Sequence, residues 1–172
     1  MPTRVTLVSD THVPKRAKQL PETVWRAVES ADVVIHAGDW VELSMLDDFE
    51  RRSRRLLAVR GNNDGPEFEP RLPLVATADI EGARIVVVHE TGPALRREER
   101  ADAEYPEADV IVFGHSHIPW DSVTAAGTRM LNPGSPTDRR RQPACTFMTL
   151  VLDDGRVRDV EVVRLPLRSS PR

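Results

Sequence analysis

A single cysteine, Cys145, stands among the 172 residues. That scarcity excludes an internal disulfide and suits a reducing cytoplasm. Long apolar runs are missing as well, so no segment reads as crossing a bilayer. The first residues run straight into a strand pattern, without the layout of a secretory signal. There is no basic excess: 24 Lys and Arg stand against 27 Asp and Glu, for a formal net charge of −3. A long nucleic-acid duplex is therefore not the expected partner. The basic clusters RRSRR (51–55) and DRRRQ (138–142) read as solvated faces, with a phosphate-rich substrate as their other use. No internal repeat and no low-complexity segment appears.

What is present fits one globular domain. Hydrophobic residues make up 40% and charged residues 30%, enough for a real core. The domain is expected over 1–166, with 167–172 a frayed tail. Five short apolar runs punctuate the first two-thirds: 5–8, 33–35, 56–59, 85–88 and 110–113. Each is bulky, too short for a helix and apolar without alternation, which means strands covered on both faces. Helical patterns lie between several of them. Residues 20–31 carry Pro21 near the start and Val24, Trp25 and Val28 on one face; 41–52 space Leu43, Leu46 and Phe49 by three; 92–103 are a more polar third candidate. This alternation predicts an α/β layered fold. Hairpins are expected around Glu81-Gly82, Gly127 and Asp154-Gly155, giving a second, more antiparallel set of strands. Cys145 falls in the strand pattern ACTFMTLVL and reads as a small buried hydrophobe, not a nucleophile.

The informative residues are those just beyond each apolar run. The five runs lead into Asp10-Thr11-His12, Gly38-Asp39, Gly61-Asn62-Asn63-Asp64, His89 and Gly114-His115-Ser116-His117. Side chains able to bind a ligand thus recur at the carboxyl ends of the strands, where α/β sheets put their sites. Four of the five histidines lie there, and His36, inside a strand, reads as a core or supporting residue.

The set offers imidazole, carboxylate and amide oxygen but no thiolate. Those donors suit divalent Mn, Fe, Co or Zn and argue against a structural cysteine-rich zinc site. The seven candidates Asp10, His12, Asp39, Asn62, His89, His115 and His117 are too many for one ion and about right for two sharing a bridging carboxylate. Two ions ~3.5–4 Å apart clamp the attacking and leaving oxygens of a displacement at phosphorus. Glycines before Asp39, Asn62 and His115 let the backbone come close to the cluster.

With those residues assembled, the sequence resembles the calcineurin-like metallophosphoesterases, whose pattern runs Asp-x-His, Gly-Asp, Gly-Asn-(His/Cys)-(Asp/Glu), His, Gly-His-x-His. The length and the segment LNPGSP (131–136) resemble the small bacterial and archaeal YfcE-type phosphodiesterases, relatives of the retromer scaffold subunit. The resemblance implies a four-layer α/β/β/α sandwich of two mixed sheets flanked by helices. It implies one ion on Asp10, His12 and His117, another on Asn62, His89 and His115, and Asp39 bridging them. Manganese is the expected metal, with Fe, Zn, Co and Ni as alternatives. The nucleophile is then a hydroxide between the ions, attacking a small phosphoester in line. Asn62 and His89 serve the chemistry as ligands, Asp64 orients a neighbouring group, and Arg60 reads equally as a phosphate contact or a surface charge.

Two departures stand out. Asn63 occupies the position where many relatives carry a histidine that protonates the leaving group, and an amide cannot do so. Glu90 comes after His89 where relatives commonly have glycine. Asn63 favours substrates with good leaving groups, which points to diesters, or else an acid supplied from elsewhere. It also sustains the alternative of a catalytically weak, protein-binding scaffold like the retromer subunit. The location implied is cytoplasmic, and a homo-oligomer stays open.

Overall fold

Every apolar run becomes a strand, because each has a partner layer on both sides. The computed structural model describes residues 1–167; most of the predicted tail, 168–172, lies outside the described residues. In chain order the elements begin with β1 (Thr3–Val8), α1 (Glu22–Ser30), β2 (Val33–His36), α2 (Leu43–Arg52) and β3 (Leu56–Ala58). A 3₁₀ turn at Pro66–Phe68 leads to β4 (Val75–Ile80), β5 (Ala83–Val88), α3 (Arg97–Glu104) and β6 (Val110–Val112). The chain closes with β7 (Trp120–Val123), β8 (Arg129–Asn132), β9 (Thr146–Asp153) and β10 (Arg156–Arg164).

These strands make two five-stranded sheets, ordered β10-β9-β1-β2-β3 and β4-β5-β6-β8-β7. In the first, β1, β2 and β3 are parallel and β9 runs antiparallel to β1. In the second, β5, β6 and β8 are parallel, with β4 and β7 antiparallel at the edges. The expectation of a separate antiparallel set is not met. The β9–β10 hairpin joins the first sheet while β4–β5 and β7–β8 join the second, so both sheets are mixed.

Alternation along the strands sorts the core into three layers. Val5 and Leu7 of β1, Val33 and Ile35 of β2, Ile85 and Val87 of β5, and Val110 and Val112 of β6 meet between the sheets. Val8 and Val34 face the other way, onto Val24, Trp25 and Val28 of α1 and Met45, Leu46 and Phe49 of α2. Val86, Val88 and Ile111 face Ala101 of α3. The result is an α/β/β/α sandwich, and it explains why the strands read as apolar without alternation.

Local chemistry sets the boundaries. Pro21 precedes the first turn of α1, and Glu22 suits the positive end of its dipole. Met45, not Leu43, joins Leu46 and Phe49 as a buried residue of α2, and Leu43 is only partly covered. The third helix starts later than its polar pattern suggests, at Arg97, because Arg96 takes a left-handed conformation with φ 56°. Glu81-Gly82 and Asp154-Gly155 both have positive φ at two successive residues, which matches the strand twist in tight hairpins. The two tips touch, Gly155 donating its N–H to the Glu81 carbonyl at 2.7 Å. Cys145 ends one residue short of β9 and is half-buried against the first core layer rather than inside a strand. Among the described residues no helix is long and apolar enough to cross a membrane.

Candidate metal centre

Val8, His36 and Ala58 stand level at the ends of β1, β2 and β3, as do Val87 and Val112 in β5 and β6, so the segments after these strands converge at one edge of the sandwich. All seven candidate donors meet there. Asp10, His12 and His117 form one group and Asp10, Asp39 and His89 another, each with donor atoms within 4.8 Å of one another. Asp39 lies between them: its Oδ2 is 3.3 Å from His12 Nε2 and its Oδ1 is 3.3 Å from His89 Nε2. On the His89 side, Asn62 Oδ1 sits 3.0 Å from His89 Nε2 and 3.1 Å from His115 Nδ1. On the His12 side, Asp10 Oδ1 is 3.4 Å from His117 Nε2 and 3.7 Å from His12 Nε2. Bonds of about 2.1 Å to one ion put neighbouring ligands roughly 3.0 Å apart in octahedral geometry and roughly 3.4 Å apart in tetrahedral geometry.

The donor atoms fit a cation on a second count. Asp10 Oδ1, His12 Nε2 and His117 Nε2 are buried and make no hydrogen bond. Buried polar atoms left so cost ~1–3 kcal/mol each, and these three face one another. The other polar atoms of Asp10 and His117, and one ring nitrogen of His89, are engaged elsewhere. Asp10 Oδ2 accepts from Ser9 Oγ at 2.7 Å and from the His115 N–H at 3.0 Å. His89 Nδ1 donates to the Ala37 carbonyl and His117 Nδ1 to that of Asp138, both at 2.7 Å. Those bonds fix the tautomer and leave each Nε2 lone pair pointing into the cluster, the way metal-binding imidazoles are held.

The charges reinforce one another. Burial pulls the His12 imidazole down, but Asp10 and Asp39 beside it prevail and raise it to about 9. His89 is likewise raised, burial being outweighed by the neighbouring Asp39 and Asp10 carboxylates. Burial works against ionised Asp10 and Asp39, yet the surrounding imidazoles hold both far below the ordinary carboxylate range.

Asp64 is the organiser of the loops. Its Oδ2 accepts the N–H groups of Gly61 (2.7 Å) and Asp39 (3.0 Å), and its Oδ1 those of Trp40 and Val41 (both 2.8 Å). Burial, together with the Asp39 charge, raises its pKa against the pull of those bonds. Gly61 fits because a Cβ there would run into Asp39 Oδ1. Gly38, at φ +94°, takes a conformation that side chains rarely adopt, with Gly61 N 2.8 Å from where a Cβ would stand. Five of the candidate donors are themselves left-handed: Asp10, His12, Asp39, His115 and His117, at φ between 43° and 71°. Such backbone concentrates at functional sites, and Asp, Asn and His adopt it more readily than most residues.

Asn63 donates its N–H to Asp39 Oδ1 at 2.9 Å and its side-chain amide to Oδ2 at 2.7 Å, so it clamps the central carboxylate. Arg60 pairs with Glu69 at 3.7 Å and is mostly covered, which fits neither a free surface charge nor an open phosphate contact. His36, fully buried, supports the site from behind. It accepts the Gly38 N–H at Nδ1 (3.1 Å), so Nε2 carries the proton shared with Thr11 Oγ1 (3.2 Å), and its ring stacks on Trp40 at 3.4 Å.

In sequence the segment after β8 shows only a Pro-Gly turn and a likeness to a family loop, yet it braces two of the donor loops. Ser135 Oγ donates to the Asp10 carbonyl and Thr137 Oγ1 to that of Thr11, each at 2.7 Å. Asn132 Nδ2 donates to the Gly114 carbonyl at 3.0 Å. The placement has a simple cause, since β8 lies parallel to β6 and its end reaches the same edge.

Burial holds His36 down at about 3. In the unfolded chain an imidazole protonates near ~6.5, so as pH falls below that value the unfolded state takes up the extra proton and stability is lost. The raised His12 and His89 contribute fully below ~6.5, and the depressed carboxylates lose their contribution only below ~4. Between those limits the loss belongs to His36, set against a smaller gain from Asp64, whose raised carboxyl takes up its proton first in the folded state. With chelator present, the denaturant midpoint is expected to fall from pH 6.5 to pH 4.5, and the His36 ring signals in NMR to stay those of a neutral imidazole. Titration of that ring near pH 6.5 would contradict the assignment.

Two mixed five-stranded sheets with His, Asp and Asn side chains gathered at one edge define a metallophosphoesterase architecture. Comparison with known proteins agrees. The chain belongs to the calcineurin-like phosphoesterase superfamily, whose domain model matches residues 3–155. A probable metallophosphoesterase of Methanothermobacter thermautotrophicus is 31% identical over 168 residues, covering 92% of this chain and 90% of that protein. The solution structure of a Thermotoga maritima protein is 35% identical with a TM-score of 0.75, over 95% of this chain and 99% of that one. Vps29 of Entamoeba histolytica, solved in complex with zinc, shares the fold at 21% identity and a TM-score of 0.72, over 94% of this chain and 98% of that one.

Proposed function

We propose that this chain is a binuclear metal-dependent phosphodiesterase acting on a small phosphoester in the cytoplasm. Asp10, His12 and His117 would hold one divalent ion, Asn62, His89 and His115 the other, and Asp39 both. The observation that carries this reading is the placement of Asp39, with one carboxylate oxygen turned to His12 and the other to His89, each at 3.3 Å. Two divalent ions, manganese first among the candidates, supply Lewis acidity that activates water and offsets charge on the phosphoryl oxygens.

The protein groups supply the rest. The Ala37 and Asp138 carbonyls aim His89 and His117, and Asp64 locks the segments carrying Asp39 and Asn62. Asn63 keeps the Asp39 carboxylate from rotating but has no proton to give a departing alkoxide. A diester with an acidic leaving group needs no such donor. That is why a diester is favoured over a monoester with a poor leaving group.

The test is hydrolysis by purified, manganese-loaded protein of bis(4-nitrophenyl) phosphate and of the corresponding monoester. The diester is expected to be cleaved, and chelator to abolish turnover. Equal rates with and without chelator would refute the reading. A second reading, a protein-binding scaffold on the same fold, draws on the lack of an acid at Asn63 and on the Vps29 neighbour. It predicts two bound ions and no turnover of any phosphoester.

A further inference from the structure

We propose that Glu90 is an additional ligand of the centre, a carboxylate donor to the ion held by Asn62, His89 and His115. The proposal rests on the metal-centre reading above and adds a residue to it. Glu90 comes directly after β5 and His89. Its carboxylate, a ring nitrogen of His89 and one of His115 form a third cluster, with the three atoms within 4.8 Å of one another. Glu90 Oε1 and His115 Nδ1 are 3.7 Å apart. Asn62 Oδ1 is 3.1 Å from the same His115 nitrogen and 3.0 Å from His89 Nε2. His89 and His115 thus each lie near both Asn62 and Glu90. The Glu90 side chain is 52% exposed. Among the described residues His115 is its one ion-pair partner.

Charge explains what the carboxylate would do. The first ion has Asp10 to itself and shares Asp39. The second, without Glu90, shares Asp39 and otherwise has only the neutral Asn62, His89 and His115. Glu90 gives the second ion a carboxylate of its own and evens the two sites. An added hard oxygen donor favours manganese over zinc, which prefers imidazole and thiolate. It also lowers the positive charge of the loaded centre by one. That weakens the pull on a dianionic monoester more than on a monoanionic diester. A glutamate next to His89 thus selects for diesters, in the same sense as the missing acid at Asn63.

Glu90→Gln keeps the shape and removes the charge. Binding of Mn²⁺ and Zn²⁺ to wild-type and E90Q protein is measured by competition with a fluorescent chelator, and Asp10→Asn identifies which constant belongs to the first ion. Wild-type protein is expected to take two Mn²⁺. E90Q is expected to bind the second Mn²⁺ at least ~10-fold more weakly and Zn²⁺ with less than ~3-fold change, leaving the first constant alone. Two Mn²⁺ bound by E90Q with both constants within twofold of wild type would overturn the role of Glu90 and leave the centre standing. No ion bound by the wild type would overturn the centre and Glu90 together.

Discussion

Asp39→Asn is expected to lower kcat/KM for an aryl phosphodiester by about 10³-fold or more, a loss of roughly 4 kcal/mol of transition-state stabilisation. The carboxylate faces His12 with one oxygen and His89 with the other. An amide can offer an oxygen to one side only and must turn an NH₂ to the other. Asn63 sharpens the conflict, because it donates one hydrogen bond to each Asp39 oxygen. Whichever way the new amide lies, one of those donors meets another donor. The number of tightly bound Mn²⁺ should fall from two to one in the same variant. Hydrolysis within tenfold of wild type at saturating Mn²⁺ would remove the bridging role and, with it, the binuclear reading.

Asp64→Asn is expected to be the most damaging change for the fold at this edge, although Asp64 is not among the proposed ion ligands. Four N–H groups, those of Asp39, Trp40, Val41 and Gly61, converge on two oxygens. An asparagine accepts at one atom, so two donors lose a charged acceptor and face an NH₂. Hydrogen bonds to charged groups contribute ~1.5–3 kcal/mol each, and the site is buried. The expected loss in urea denaturation is about 3–5 kcal/mol, a large share of the ~5–15 kcal/mol of a typical domain. Ion affinity should drop with it, since the bonds hold Asp39 and the turn that presents Asn62. A change below ~1 kcal/mol would show that the loops are held by something else.

Both variants act on a centre whose donors could be read from the sequence. Parallel strands bring their carboxyl ends together, so residues 10, 12, 39, 62, 89, 115 and 117 announced a shared location by standing just beyond apolar runs. The layers were readable for the same reason: strands buried on both faces have no polar side to show. Sheet membership was not. The pairing of β9 with β1 joins residues at opposite ends of the chain, Thr3 with Leu152, and no local pattern encodes it. The four bonds to Asp64 were equally hidden, because they depend on how closely 39–41 approach Gly61. The bracing role of Ser135 and Thr137 was masked by ordinary Pro-Gly turn chemistry. His36 was identifiable as internal, but its tautomer depends on the Gly38 N–H that points at it.

The left-handed backbone at Asp10, His12, Asp39, His115 and His117 has a practical consequence for mutagenesis. An alanine at any of these positions removes a side chain and also pays for a conformation that Asp, Asn and His tolerate better, at ~1 kcal/mol or more. A dead alanine variant would therefore mix two causes, lost chemistry and a loop that no longer holds its shape. Asparagine tolerates the same conformation, so it isolates the first cause. An alanine scan would overstate these five residues relative to Asn62 and His89, whereas an asparagine scan of the five would rank them.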